Sequence, residues 1–174
     1  MLSRSSLILT VAGACLLCSG ATAHAQLDLK AVVVKHLTTS RDFTLKVAEQ
    51  MPEADYGFKL TPPQMSFAEQ LVHLATDQAN LLGPFVNTPR PAPSKPASMS
   101  KKDVIAFVRQ SFDQSIALVS KLTPAQIEKT YTGFGSPMTG LEFLMFVLDH
   151  NTHHRASAEM YLRVKGIVPA EYEF

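Results

Sequence analysis

The chain has 174 residues, with 16 lysines and arginines against 15 acidic residues, and two cysteines. That length suits one domain around one core, and the balanced charge leaves no basic excess or stripe for a nucleic-acid backbone. Cys15 and Cys18 both lie in an N-terminal segment expected to be removed, so the rest can carry no disulfide scaffold, cysteine nucleophile or thiolate metal ligand.

That segment reads as a secretory signal peptide over residues 1–25. Arg4 supplies the positive start, Leu7 to Leu17 form an apolar run too short to span a bilayer, and Ala23-His24-Ala25 has the small-residue pattern of a cleavage site. A lipoprotein signal is the alternative, because Ala12-Gly13-Ala14-Cys15 loosely resembles a lipobox, but the usual leucine ahead of the cysteine is missing. The expected mature chain, 26–174, is one domain without net formal charge, soluble in the periplasm or outside the cell and free of the membrane.

The first helix is predicted from about Leu27 to Gln50, where Leu29, Val32, Val33, His36, Leu37, Phe43, Leu45 and Val47 recur at roughly helical spacing. Met51-Pro52 ends it, since a residue before proline avoids the helical region, and 52–65 is a connection. The second helix opens at Ser66, where Ser66-Phe67-Ala68-Glu69 is a capping box, and Gly83-Pro84 stops it. Five prolines between Pro84 and Pro96 make 84–98 a surface crossover. The third helix starts at Ser100 and carries Val104, Phe107, Val108, Phe112, Ile116, Val119 and Leu122. A short helical turn follows from Thr123-Pro124 to about Lys129, and 131–138 reads as a glycine-containing loop. The last helix runs from Gly140 to Lys165 and closes at Gly166. No period-2 run of strand length stands out. The fold expected is all-α, an antiparallel four-helix bundle with a long crossover between helices two and three.

Histidines carry the chemical signal. On the last helix His150 and His154 are four apart and share one face, which is half of a metal site in helical zinc proteins. His73 lies in the middle of the second helix, so three neutral imidazoles can converge if the two helices pack. His153 is turned about 100° from His154 and reads as exposed or as a neighbour behind the ligands, with an i,i+3 pair with His150 as the alternative, and His36 has no paired histidine and reads as structural. Asp77, one turn beyond His73, either orients that ring or is a solvated charge. Nitrogen donors and water suit zinc, the default for a redox-neutral site, and also nickel, iron or cobalt.

The chain resembles the DinB-like (DinB/YfiT) family. The likeness rests on Met51-Pro52-Glu53, on Met65-Ser66-Phe67-Ala68-Glu69-Gln70-Leu71-Val72-His73-Leu74, and on His150-Asn151-Thr152-His153-His154-Arg155 with Tyr161-Leu162-Arg163 and Gly166-Ile167-Val168-Pro169 behind it. It implies a four-helix bundle, a divalent metal on His73, His150 and His154, and a homodimer. Two positions depart from the family pattern. Ala156-Ser157 stands where members often have Gly-Gln, and Met65 stands where tryptophan is common. Some members are thiol S-transferases; an exported protein lies outside the compartment where such thiols abound.

The function expected is therefore that of an exported metal-dependent enzyme, a thiol S-transferase or a hydrolase, acting on a small molecule. The alternative is a non-catalytic metal- or ligand-binding bundle. Asp77, Tyr131 and Asp149 are the candidates for a general acid or base, and no motif selects among them.

Overall fold

Residues 28–86 and 99–172 are described by a computed structural model. The segment expected to be a signal peptide lies outside them, as do 87–98 of the proline-rich connection. Four long helices make the bundle: α1 (Leu29–Gln50), α2 (Phe67–Leu81), α3 (Lys101–Val119) and α5 (Gly140–Val164), with a short α4 (Pro124–Glu128) before the last. Their starts follow side-chain chemistry. Ser66 and Glu69 close the predicted capping box, and Thr123 with Gln126 and Thr139 with Glu142 close two more. Ser100 accepts from the Asp103 amide. Gly166, with φ of 74°, follows the end of α5 in the left-handed conformation.

Contacts fix the helix directions. Arg41 meets Asp113, and Lys101 reaches the carbonyls of Glu49 and Met51, so α1 and α3 run antiparallel. Gln78 meets Asn151 while Tyr161 donates to the Met65 carbonyl, so α2 and α5 are antiparallel too. Ser111 donates to Ala75 and Gln78 to Ser115, which makes α2 and α3 parallel neighbours. Parallel neighbours consecutive in sequence need a long connection, and the proline-rich stretch supplies that length. Phe43, Phe67, Leu71, Leu74, Phe112, Leu144 and Leu162 are buried in one core between the four helices. Among the described residues no helix is long and apolar enough to cross a membrane.

One expectation needs correction. The loop predicted over 131–138 is a β-hairpin: β1 (Thr130–Gly133) pairs antiparallel with β2 (Ser136–Thr139), Tyr131 opposite Met138. Phe134 and Gly135 form its two-residue turn with φ of 49° and 78°, the positive pair that matches strand twist in a tight hairpin. Four-residue strands are too short for a period-2 pattern to show. The hairpin is held through Tyr131, whose ring packs edge-on to Phe85 and Phe143.

Candidate metal centre

The three histidines meet on the seam between α2 and α5. His150 and His154 stand one turn apart, and the antiparallel packing of α2 sets His73 beside both, 5.2 Å from the His150 ring centre. One ring nitrogen from each lies within 4.8 Å of the others. The His73 and His150 ring centres are each 4.5 Å from that of His154. His153 is exposed on the adjoining face and His36 is exposed on α1.

The surroundings keep two of these rings neutral. Burial lowers the pKa of His154 to about 3, with His150, His73 and His153 adding repulsion. Burial also lowers that of His150, opposed by the Asp77 carboxylate. Neutral imidazoles are what a metal requires. His150 Nδ1 is buried and has no hydrogen-bond partner among the described residues, which leaves it available to a ligand. Three clustered ring nitrogens, on histidines of which two are disfavoured in the protonated form, fit a divalent ion.

Asp77 is not a remote solvated charge. Its Oδ2 lies 3.4 Å from His73 Nε2 and 3.7 Å from His150 Nε2, while Oδ1 accepts from Asn80 at 3.3 Å. Tyr131 and Asp149 are placed otherwise: the Tyr131 hydroxyl donates to the Gln126 carbonyl, and Asp149 is exposed. Phe146, one turn before His150, stands edge-on to it at 6.5 Å and meets the exposed Phe134 at 5.4 Å. That aromatic pair makes one flank of the site apolar.

Sequence reasoning did not find the partners of the buried polar residues around the cluster. Gln70 Oε1 is 2.6 Å from His154 Nδ1. Asn151 donates to Gln78, and Gln78 to Ser115. Arg155, beside His154 in sequence, turns the other way. Its guanidinium lies 4.5 Å over the Phe43 ring and donates to Ser40, fastening α5 to α1. The only signal for these in the sequence is polar residues at positions a buried helix face would occupy.

Residues 36–158 match the sequence profile of the DinB superfamily. The chain belongs to this family. Among DinB relatives, the uncharacterized protein YjoA of Bacillus subtilis is 22% identical over 138 residues, covering 77% of this chain and 89% of YjoA. The crystal structure of YjoA, a DinB-like protein, superposes with a TM-score of 0.65 at 23% identity, over 81% of this chain and 96% of that one. A DinB-like protein from Bacillus cereus gives a TM-score of 0.71 at 18% identity, over 81% and 95%. YfiT from Bacillus subtilis, described as "a probable metal-dependent hydrolase with an unusual four-helix bundle topology", gives 0.64 at 15% identity, over 79% and 88%. At these identities the likeness establishes the DinB-like four-helix fold.

Proposed function

We propose that this DinB-superfamily chain is an exported metal-dependent enzyme of the hydrolase type, with His73, His150 and His154 holding one divalent ion and Asp77 acting as general base on a small-molecule substrate. The observation that carries the reading is the Asp77 carboxylate, set within 3.4 and 3.7 Å of ring nitrogens from two of the three histidines. The description of YfiT as metal-dependent supports it. Zinc suits an all-nitrogen, redox-neutral donor set, and nickel, iron or cobalt are the other fits. A bound divalent ion supplies Lewis acidity, polarising a carbonyl or acidifying water.

The chain's own residues do the rest. His73 and Asp77 side chains are exposed by about a third, 33% and 36%, against 13% for His150, so substrate enters from their side. Asp77, whose Oδ1 accepts from Asn80, would take at Oδ2 the proton released by the water that attacks the substrate. Phe146 and Phe134 offer an apolar flank to the substrate. A hydrolase is preferred to a thiol transferase because the export expected from the first residues would take the chain out of the thiol-rich cytoplasm.

The test is metal content together with hydrolysis of an ester and amide panel by the metal-loaded chain. One ion per chain, and turnover lost in Asp77→Asn with metal retained, is the expected result. Metal without turnover would return the chain to a binding module, and no metal in any preparation would sink the reading altogether. Intact mass of exported material checks removal of 1–25, and light scattering checks the homodimer that the family resemblance implies.

A further inference from the structure

We propose that Gln70 is a positioning residue that holds His154 as the tautomer protonated on Nδ1, so that Nε2 presents its lone pair to the cluster. The proposal rests on the metal-site reading for its purpose, though not for its geometry. Gln70 lies on α2 one turn before His73 and is 9% exposed, so the helix that brings one candidate ligand also brings the partner of another. Its Oε1 stands 2.6 Å from His154 Nδ1. A carbonyl oxygen accepts and cannot donate, so the ring nitrogen facing it carries the proton and the other does not. A histidine that binds metal needs this kind of partner on its far nitrogen to fix tautomer and ring orientation.

The choice of an amide has its own consequence. A carboxylate at that place would add negative charge and make the ring a stronger donor. Gln70 orients the ring without adding charge, which leaves the positive charge of a bound ion undiminished. Gln70 is also buried, and a neutral side chain is cheaper to desolvate there than a carboxylate.

Nitrogen-correlated NMR of the imidazoles in the metal-free full chain, at a pH where His154 is neutral, reads the tautomer directly. A proton on Nδ1 is expected; a proton on Nε2 would mean that the Gln70 amide donates instead, and overturns the proposal. Zinc titration of variants gives the second readout. Gln70→Leu should weaken zinc binding roughly 10- to 100-fold while circular dichroism stays helical, and Gln70→Glu should restore it or bind more tightly. Unchanged affinity in Gln70→Leu would also overturn it. If the wild type takes up no ion, the metal reading fails by itself, and the tautomer still decides the role of Gln70.

Discussion

Asn151 Nδ2 donates to Gln78 Oε1 at 2.5 Å in the interior of the bundle, with both side chains fully buried. Gln78 in turn donates to Ser115 at 2.9 Å, so one glutamine joins α5, α2 and α3. Cutting such a relay strands its partners. Gln78→Leu is expected to destabilise the fold by about 2 kcal/mol, measured by urea denaturation. A double-mutant cycle with Asn151→Leu should give a coupling above about 0.5 kcal/mol; additive losses would show that the two amides do not act together.

Removing the ion should lower thermal stability, since anything that binds the native state alone stabilises it by mass action. Metal analysis on variants separates the ligands: His150→Ala and His154→Ala should lose most of the ion, and His153→Ala should keep it, because His153 is exposed on another face. Full occupancy in His154→Ala would refute the site.

Asp77→Asn keeps size and shape while abolishing the base. Turnover should fall by roughly 10²- to 10⁴-fold, with metal content unchanged. A drop in metal content would instead mark Asp77 as a ligand.

Gly140→Ala tests the junction between α4 and α5. Helix propensity alone favours alanine there. A Cβ at this position would sit 2.8 Å from the Ile127 carbonyl oxygen and closer still to that of Gln126, and backbone cannot step aside cheaply. The substitution should cost about 2 kcal/mol, read from the shift in Tm; a gain in stability would show that α4 yields.

The Ser66–Glu69 capping box gives a pH dependence. The Ser66 backbone N–H, 2.6 Å away, holds the Glu69 carboxyl below its usual range, with the Ser66 hydroxyl and Lys59 assisting. A depressed carboxyl contributes stability above its unfolded pKa and loses it as pH falls through the folded one. The advantage of wild type over Glu69→Ala, about 0.5 kcal/mol for a solvated cap, should therefore be full above about pH 5 and shrink below it. A constant difference down to acid would rule out the carboxylate as the cause.

Much of this architecture could be read from the chain because its signals are local. Ser66 and Glu69 are three residues apart, Gly166 follows its helix directly, and His150 and His154 are one turn apart, so each pairing is visible in a short window. The hairpin escaped because its strands are shorter than a period-2 pattern needs. Gln70, Gln78 and Asn151 escaped for another reason: their partners are 73 and 84 positions away, and no spacing rule reaches that far. Asp77 was visible as a neighbour of His73, but its approach to His150 depends on how two helices pack.

The distance in sequence between α2 and α5 also sets a timetable. The Gln70–His154 bond spans 84 residues, and until α5 docks, a growing or refolding chain offers a metal His73 alone or the His150–His154 pair alone, never the three clustered imidazoles together. Contacts of such separation form late, after the loop between them has been closed. A site made of all three rings would thus exist only once α5 has docked against α2. If the chain is exported unfolded, as its first residues suggest, that three-ring site would be assembled only at the destination.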